Sequence, residues 1–535
     1  MNNKKNITPL LMLFVLLLGI LLGFRISDKY SFALQKKDEN VDIKSLINYI
    51  NENYVDSVDT DDLHTKAING MLSSLDPHSV YIPAEDFNNT NAELLGNFEG
   101  IGIQFRIERD TVMVISTIVG GPSEKSGLLA GDRIVEVDKE NIASVGIDND
   151  KAMKLLKGPK NTVVNVGIVR LGVPGILYFD IIRDVIPTWS VDVAFKVNDS
   201  TGYIKISKFS ATTDDELKLA LSDFKSEGIY KLILDLRGNA GGYLEEAIAV
   251  SDEFLPADKL IVYTKGLHRP QKEAYSTSDG LWDDLPVVVL TDEGSASASE
   301  IVAGAIQDND RGFIIGRRTF GKGLVQEQIS FKDGSAMRLT TSKYYTPTGR
   351  CIQKPYDKGN ENYYMELMER YADKEETSDT TKNDIDTVKY VTPMGRVLYG
   401  GGGITPDIIV PAETVGNYTF YAKCLRKGTI FKFAFEYTDK NRKSLNNYSD
   451  FDDFNEKFHI NNDIFGSFVA FASKDKIKAT EKEIAFSKQR ISDLLKAYIA
   501  RNVYDDEGFY PIYLKTDSTY LKAIQILNSN ATLQK

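Results

Sequence analysis

The segment Gly294–Gln326 constrains this chain more than any other stretch of its sequence. It reads GSASASEIVAGAIQDNDRGFIIGRRTFGKGLVQ, and Ser295, Ser297 and Ser299 alternate with alanine at its start. Five apolar residues then recur at the i, i+3, i+4, i+7 and i+8 positions of one helix face, Ala298, Ile301, Val302, Ala305 and Ile306. The segment predicts a serine-rich turn, a short helix, a strand and a lysine flanked by glycine.

This arrangement places a candidate nucleophile and a candidate base in one short stretch of chain. A serine at a helix start faces unpaired backbone N–H groups and the positive end of the helix dipole, which favour an oxyanion. Lys322 lies between Gly321 and Gly323, so no adjacent side chain obstructs its approach to a partner. Because a desolvated, neutral lysine can accept a proton from serine, the segment predicts a Ser–Lys hydrolase. The structural alternative is a simple cap and tight turn.

A phosphate-binding loop is the competing interpretation of the same glycines. Residues Gly316–Lys322 fit the pattern G-x-x-x-x-G-K and follow a strand-like run at 313–315. The next position is Gly323, where a phosphate loop carries the serine or threonine that binds magnesium. Downstream, the run LVQEQISF alternates like a strand and does not open a helix. A nucleotide site is therefore disfavoured, and no cofactor is expected.

The segment closely resembles the signature of the C-terminal processing (tail-specific) peptidases, serine proteases with a Ser–Lys dyad and an embedded PDZ domain. That signature is an S-A-S-E run, a G-K-G lysine 25 residues after the nucleophile, and a glutamine four residues beyond the lysine. The resemblance implies that Ser297 is the nucleophile, Lys322 the base and Gln326 the residue that orients the lysine. It also implies a supporting role for Asp308, and it leaves the other two serines of the turn as structural residues.

The resemblance runs through most of residues 41–410 and implies an α/β core of the ClpP/crotonase-like type. The run KLILDL at Lys231–Leu236 is apolar enough for a buried strand. It leads into the glycine-rich loop Arg237–Gly242 and then a helix, an order that places a ligand at the carboxyl end of the strand. By resemblance, the N–H groups of Gly241 and Ala298 form the oxyanion hole. The alternative for this loop is a structural turn.

Residues 93–175 resemble a PDZ domain inserted ahead of the catalytic core. Three segments carry this resemblance in order, a glycine-rich loop at 100–105, a helix start at Gly121–Leu128 and a turn with a strand at Gly131–Val137. The loop would capture the terminal carboxylate of a peptide through the backbone of six residues, Gly100, Ile101, Gly102, Ile103, Gln104 and Phe105. The peptide is expected to add a strand beside this loop. The alternative is a glycine-rich hairpin without a ligand.

The end residue of such a peptide is expected to pack beside the helix near Met153 and Leu156. Just after this helix, Lys157 stands where the family usually carries an arginine in an L-R-G-P-K-G-T turn. A lysine cannot reproduce the bidentate contacts of an arginine. If that arginine couples the position of the PDZ domain to activation, the coupling is expected to be less rigid here.

Five regions are expected along the chain of 535 residues. They are a signal anchor at 1–33, an N-terminal helical segment at 34–92, the PDZ domain at 93–175, the serine protease core at 176–412 and an α-rich C-terminal domain at 413–535. The residues at 34–41 are expected to form a short charged linker. Residues 357–386 are rich in charge and low in apolar side chains, which is typical of an exposed insertion. The C-terminal domain is assigned to substrate handling or self-association.

The N-terminus predicts an uncleaved signal anchor that exports the rest of the chain. Lys4 and Lys5 precede a largely apolar run from Ile7 to Phe24. This run is long for a signal peptide and just long enough for a membrane span, and no A-x-A-like cleavage site follows it. Cleavage after Gly23 is the alternative. The predicted location is the cell envelope, with an inner-membrane anchor and the bulk of the chain in the periplasm.

Composition excludes several other classes of function. The net charge of −12 argues against nucleic acids as partners. The four histidines lie outside the motifs of zinc enzymes, so no metal site is expected and a Ser-His-Asp triad has no support. Cys351 and Cys424 are too few for a disulfide framework, and two thiols are favoured over one bridge. His78 lies in an LDPHS run that the family carries as structure, and it stays outside the predicted site.

The expected substrates are proteins or peptides with free C-termini, and a homo-oligomer or an adaptor protein is left open. Ser297 is expected to attack a peptide carbonyl while neutral Lys322 accepts its proton, so activity should fall sharply at acid pH. Apolar neighbours would desolvate the lysine, namely Phe320, Leu324 and Val325. Two other functions fit part of the sequence: a membrane-tethered PDZ scaffold with an inactive core, and an exported peptidase that degrades misfolded protein.

Overall fold

The computed structural model describes residues 12–22, 42–372, 388–412 and 419–529. Residues 12–22 form a helix, α1, whose apolar side chains are exposed. No helix within the described ranges is both long and apolar enough to cross a membrane. The predicted linker at 34–41 and parts of the predicted anchor lie outside the described residues.

Two helices follow, α2 (Ile43–Asn53) and α3 (Thr60–Ser73), in a compact unit that ends at Leu72. Asp42 caps α2, since its carboxylate accepts a hydrogen bond from the N–H of Ser45. Among the apolar residues of α2, Ile47 is buried and Ile43 is exposed.

The second unit begins with β1 (Val80–Ile82) and α4 (Ala84–Leu95) and continues into the predicted PDZ domain. The elements of that domain are β2 (Asn97–Gly100), β3 (Ile103–Ile107), β4 (Val112–Thr117), α5 (Pro122–Ser126), β5 (Arg133–Val137), β6 (Glu140–Asn141), α6 (Asn149–Leu156), β7 (Val163–Val169), β8 (Leu177–Ile182) and β9 (Asp184–Pro187). An antiparallel sheet has the order β3-β4-β5-β7-β8, with β6 paired to β5. β2 and β9, the first and last strands of the domain, pair with each other. β8 therefore belongs to the sheet although it lies beyond the predicted boundary at 175.

The catalytic core contains two sheets with helices packed against them. The elements of its first part are β10 (Val191–Asn198), β11 (Thr201–Ile206), α7 (Thr213–Ser226), β12 (Lys231–Asp235), α8 (Leu244–Asp252), β13 (Leu260–Lys265), β14 (Lys272–Tyr275), β15 (Val287–Thr291), α9 (Ala298–Asp308) and β16 (Phe313–Gly316). The elements of its second part are β17 (Leu324–Ser330), β18 (Ala336–Tyr345), α10 (Asn360–Ala372), β19 (Lys389–Val391), β20 (Val397–Tyr399) and β21 (Ile408–Ile409).

The larger sheet has the strand order β10-β11-β12-β15-β16-β21. Strands β11, β12, β15, β16 and β21 run parallel, and β10 pairs antiparallel at one edge. The predicted α/β core is thus confirmed. The apolar runs GYIKI (202–206), KLILDL (231–236) and LPVVVL (285–290) form the adjacent parallel strands β11, β12 and β15. Because parallel strands end at the same sheet edge, the loops that follow β12 and β15 meet there.

Both faces of this sheet are buried, which explains why its strands are apolar at nearly every position. Leu234 of β12 packs into a core that includes Phe224 of α7 and Ile301 of α9. The neighbouring Ile233 points to the opposite face and packs into a second core with Tyr520.

The smaller sheet has the order β1-β18-β13-β14, with β17 also paired to β18, and its pairings are antiparallel. β1 lies within the region predicted as helical, and it aligns Val80 with Arg338. Since the LDPHS run ends at β1, this pairing fixes that run beside the strand hairpin that follows Lys322.

The α-rich C-terminal domain is also confirmed. Its helices are α11 (Phe420–Arg426), α12 (Thr429–Leu445), α13 (Phe451–Lys457), α14 (Asn462–Lys474), α15 (Glu481–Tyr513), a 3₁₀ turn at Leu514–Thr516 and α16 (Ser518–Asn528). The domain has its own aromatic core, and α16 covers one face of the larger sheet. α12 also contacts the PDZ domain, because Asp439 Oδ2 lies 3.6 Å from the guanidinium of Arg133.

Candidate active site

Ser297 lies at the point where the turn after β15 enters α9. Its backbone has a φ of +54° and a ψ of −110°, a strained conformation for a residue with a side chain. Gly241 of the glycine-rich loop lies directly against Ser297 and has a φ of +102°. A Cβ at position 241 would lie 2.8 Å from the Cβ of Ser297 and 3.0 Å from the amide nitrogen of Ala298, so only glycine fits there.

The carboxylate of Glu300 links the candidate nucleophile to the candidate base. Its Oε2 accepts hydrogen bonds from the backbone N–H groups of Ser297 and Lys322, each at 2.8 Å. Its Oε1 accepts from the N–H of Gly321 at 2.7 Å and from the hydroxyl of Thr319 at 2.5 Å. Glu300 is fully buried, and burial raises its pKa, although these four hydrogen bonds oppose the shift. Four converging donors match the acceptor capacity of an ionised carboxylate.

The hydroxyl of Tyr344 makes a second link between the same two residues. It lies 2.6 Å from the carbonyl oxygen of Lys322 and 3.1 Å from the carbonyl oxygen of Ser297. Tyr344 is buried in the core of the catalytic domain. The backbones of Ser297 and Lys322 are therefore held together through their N–H groups by Glu300 and through their carbonyl groups by Tyr344.

Lys322 occupies an environment that disfavours its charge. Burial lowers the pKa of Lys322 below its ordinary value of 10.5, and the nearby charge of Arg338 lowers it further. The carboxylates of Glu300 and Asp76 act in the opposite direction. The net direction favours the neutral amine that a general base must be.

Gln326, which the family resemblance assigns to the orientation of the lysine, donates from its side-chain amide to the hydroxyl of Thr340 at 3.2 Å. The N–H of Thr340 in turn donates to the hydroxyl of Ser79 at 3.1 Å, and that hydroxyl donates to Asp76 at 2.6 Å. Gln326 is thereby connected to the LDPHS run. Its contact with Lys322 stays a prediction.

The predicted oxyanion donor Gly241 is engaged by a neighbour within its own loop. Its N–H donates to Oδ1 of Asn239 at 2.8 Å, and Asn239 is fully buried. The hydroxyl of Ser299 donates to the carbonyl of Asn239, and the hydroxyl of Ser295 donates to that of Leu236, each at 2.9 Å. These two serines of the turn thus brace the glycine loop, in line with the structural role expected of them.

Asp308 lies at the far end of α9 from Ser297. It forms an ion pair with Arg350 at 2.5 Å, and both side chains are buried. Oδ2 of Asp308 also accepts hydrogen bonds from the hydroxyl of Thr348 at 2.6 Å and from its N–H at 3.1 Å. These contacts attach the end of α9 to the turn after β18.

The predicted peptide groove of the PDZ domain opens beside the glycine-rich loop. A cavity of about 560 Å³ is lined on one side by the PDZ residues Ile101, Ile103, Phe105, Met153 and Leu156. On the other side it is lined by Gly238, Ala240 and Gly241 of the catalytic core. Lys157, which also lines the cavity, places its ammonium 5.1 Å from the centre of the Phe98 ring.

Three residues near Lys322 were not part of the predicted site. Glu300 belongs to the S-A-S-E run, and a buried acid at the start of a helix is the signal that could have identified it. Tyr344 and His78 meet the site through tertiary contacts, which the sequence alone does not show. No disulfide joins Cys351 and Cys424. Within the described ranges, no group of three or more His, Cys, Asp or Glu side chains is arranged to hold a metal ion.

Family models match four parts of the chain. Peptidase family S41 matches residues 200–359, and a PDZ domain matches residues 100–174. The N-terminal domain of the activating protease CtpB matches residues 26–86, and a family of unknown function matches residues 420–505. The S41 match contains both the glycine loop and the segment from Ser297 to Lys322.

Individual proteins show the same similarity. A carboxy-terminal-processing protease of Bartonella bacilliformis is 40% identical over 305 residues, which cover 56% of this chain and 69% of that protein. The carboxy-terminal processing protease CtpA of Bacillus subtilis is 35% identical over 347 residues, which cover 63% of this chain and 72% of that protein. Among solved structures, the photosystem II D1 C-terminal processing protease is 26% identical, covers 58% of this chain and 90% of its own, and has a TM-score of 0.33.

Proposed function

Since the chain belongs to peptidase family S41, as a carboxy-terminal processing serine peptidase with a PDZ domain, we propose that Ser297 and Lys322 form its Ser–Lys dyad. One observation carries this proposal: Glu300 and Tyr344 each hydrogen bond to the backbones of both residues. Two buried side chains that link the same pair of residues support a fixed separation between nucleophile and base.

In the proposed reaction, neutral Lys322 accepts the proton of the Ser297 hydroxyl as that oxygen attacks a peptide carbonyl. The lysine ammonium then protonates the leaving amine, and water releases the acyl group from Ser297 with the lysine again acting as base. Because the lysine acts only when uncharged, the environment that lowers its pKa is essential to activity near neutral pH.

The oxyanion of the tetrahedral intermediate is assigned to the N–H groups of Ala298 and Gly241. The close approach of Gly241 to Ala298 supports this pairing. Since the N–H of Gly241 donates to Asn239, that peptide has to turn from the asparagine toward the substrate when the oxyanion forms. We therefore propose that substrate binding completes the oxyanion hole.

The PDZ domain is proposed to bind the free C-terminus of a protein substrate and to present the adjoining segment to Ser297. The cavity shared by the PDZ groove and the glycine loop supports this arrangement, because a strand added beside β3 would lie next to Gly241. The proposal favours cleavage near the tail of the substrate over unselective degradation.

A charge placed in the groove tests the role of the PDZ domain. Met153→Glu sets a carboxylate opposite the terminal carboxylate of the peptide, so affinity for a free C-terminal peptide is expected to fall at least about ten-fold. Binding is measured by fluorescence anisotropy with a labelled peptide in free-acid and amidated forms. The matched control is Val145→Glu, at an exposed PDZ position outside the cavity. Equal affinities of Met153→Glu and Val145→Glu, or of free and amidated peptide, would argue against the proposed groove.

An N-terminal anchor and a periplasmic location complete the proposed function, and both rest on the apolar run from Ile7 to Phe24. Alkaline carbonate extraction of membranes from cells that make the full chain tests the anchor. The chain is expected to stay in the membrane pellet, whereas a variant that lacks residues 1–33 is expected in the supernatant. Release of the full chain by carbonate would refute the anchor and leave the proposed chemistry intact.

A further inference from the structure

Helix α10 covers the loop that carries Lys322, although it lies just beyond the residues that match family S41. The guanidinium of Arg370 donates to the carbonyl of Thr319 at 2.9 Å. At the start of the helix, Tyr363 is almost fully buried, and its ring packs edge-on against that of Phe320 with centroids 5.6 Å apart. The first part of the predicted exposed insertion is therefore a helix packed on the lysine loop, and residues 373–387 lie outside the described residues.

The segment before α10 holds both glycines that flank the lysine. The N–H of Lys354 donates to the carbonyl of Gly321 at 2.9 Å, and the N–H of Gly323 donates to Oε1 of Gln353 at 2.8 Å. A Cβ at position 323 would lie 2.9 Å from the backbone nitrogen of Gln353, so the close approach requires glycine.

This hydrogen bond fixes the orientation of the Gln353 amide. Because the N–H of Gly323 can only donate, the amide oxygen must face it and the NH₂ group must face the other way. The NH₂ group donates to the hydroxyl of Tyr363 at 3.3 Å. The hydroxyl oxygen of Tyr363 also lies 3.0 Å from Nε2 of His78, and the histidine tautomer decides which of the two atoms donates.

If Tyr363 donates, Nε2 of His78 accepts and the ring proton of the neutral imidazole resides on Nδ1. Burial lowers the pKa of His78 to about 4, and the nearby charge of Lys322 contributes to the shift. The imidazole ring also packs edge-on against Tyr363, with centroids 5.3 Å apart. Its backbone N–H donates to Asp76 at 2.8 Å, which anchors the residue in the LDPHS turn.

We propose that Tyr363 is a positioning residue for Lys322: its hydroxyl accepts from the Gln353 amide and donates to Nε2 of the neutral His78 imidazole. This inference rests on the proposed dyad. The hydroxyl of Tyr363 completes a path from the backbone beside the lysine, through Gln353, to the LDPHS turn. With Tyr363 donating to Nε2, the path sets both the position of the loop and the tautomer of His78.

The variant Tyr363→Phe tests the path, because it removes the hydroxyl and keeps the ring that packs against Phe320. It is expected to lower kcat for a tailed peptide about ten-fold by loosening the lysine loop. KM is expected to stay unchanged, since Tyr363 does not line the peptide groove. The control is Tyr364→Phe, which removes the hydroxyl of the next residue on the same helix, about half exposed and 3.4 Å from the carbonyl of Pro77.

The histidine tautomer supplies a readout that a merely structural role would not move. The full chain has four histidines, so selective ¹⁵N-histidine labelling gives few ring signals, and His78→Gln assigns the signal of His78. In the wild type this signal is expected to report a neutral ring protonated on Nδ1. In Tyr363→Phe it is expected to report a mixture of tautomers, because Nε2 has lost its donor.

The outcomes separate this inference from the proposed dyad. If Ser297→Ala is inactive but Tyr363→Phe keeps the wild-type kcat, the role of Tyr363 is overturned and the dyad stays intact. The same conclusion follows if Ser297→Ala is inactive and the His78 signal is unchanged in Tyr363→Phe. Equal losses of kcat in Tyr363→Phe and Tyr364→Phe would overturn it as well. Cleavage by Ser297→Ala at the wild-type rate would overturn the dyad itself. A lower kcat with a changed tautomer in Tyr363→Phe alone supports the inference.

Discussion

Ser297→Ala and Lys322→Met are each expected to lower kcat/KM for a tailed peptide by at least about 10³-fold. The alanine removes the nucleophilic oxygen, and the methionine keeps much of the shape of the lysine side chain without its basic nitrogen. Because nucleophile and base act as one unit, the double variant is expected to be no less active than either single variant. The measurement is cleavage of a peptide with a free C-terminus, with product identified by mass spectrometry.

A buried serine elsewhere in the core provides the control for this pair of variants. The hydroxyl of Ser251 donates to the carbonyl of Ala247 within α8 at 2.7 Å and has no place in the proposed chemistry. Ser251→Ala is expected to keep wild-type activity. Activity retained by Ser297→Ala would refute the assignment of the nucleophile. A wild-type protein that binds tails without cleaving them would support the scaffold alternative.

Glu300→Gln is expected to have the second largest effect, a loss of about 10²-fold in the maximal kcat/KM. The glutamine amide has an NH₂ group where the carboxylate has an oxygen, so it cannot accept from all four donors that converge there. The backbones of Ser297 and Lys322 would then lose one of their two links. Tyr344 alone would hold them together.

The same variant is expected to shift the pH dependence in a defined direction. The charge of Glu300 raises the pKa of Lys322, as does that of Asp76, whereas burial and Arg338 lower it. Removal of the Glu300 charge therefore lowers the lysine pKa further. The acid limb of the kcat/KM profile is expected to move to lower pH while its maximum falls.

A second buried carboxylate tests whether this pattern is specific. Glu253 is buried in the same core, where it accepts a hydrogen bond from the N–H of Leu281 at 2.8 Å and pairs with Lys218 at 3.3 Å. Glu253→Gln is expected to reduce stability with no change in the pH limb. An unmoved limb in Glu300→Gln, or an equal loss of kcat/KM in both variants, would contradict the role given to Glu300.

The strands of the catalytic core were predictable because a strand buried on both faces is apolar at nearly every position of its sequence. KLILDL and LPVVVL are apolar at almost every position, and they form the neighbouring strands β12 and β15. Once those strands are parallel, the glycine loop and the serine turn must meet at one sheet edge. The close approach of Gly241 to Ser297 follows from that topology.

The contacts that link Ser297 and Lys322 were not predictable, because they join residues far apart in the chain. Tyr344 reaches the carbonyl of Ser297 across 47 residues, and His78 meets Tyr363 across 285 residues. Tyr363 lies in a charge-rich stretch that is typical of exposed chain, and its packing against Phe320 and His78 accounts for its burial.

The position of the C-terminal domain is a further feature that periodicity could not supply. Its helices were expected, but the pattern of α16 does not say which surface it covers. The structure packs Tyr520 of that helix against Tyr203 of β11, with ring centroids 5.7 Å apart. Tyr203 thus lies on a sheet face that α16 covers, and that face would be open in a core of only two layers.

The most direct test of the proposed dyad is the pH dependence of the phosphonylation of Ser297 by a fluorophosphonate, in which the serine oxygen displaces fluoride, compared in the wild type and in Lys322→Met. The account predicts that wild-type labelling falls at acid pH with an apparent pKa below 10.5, the ordinary value for lysine. It also predicts that Lys322→Met is labelled at least about 10²-fold more slowly at neutral pH. Labelling of Lys322→Met at the wild-type rate, or a flat wild-type profile down to pH 5, would contradict the account.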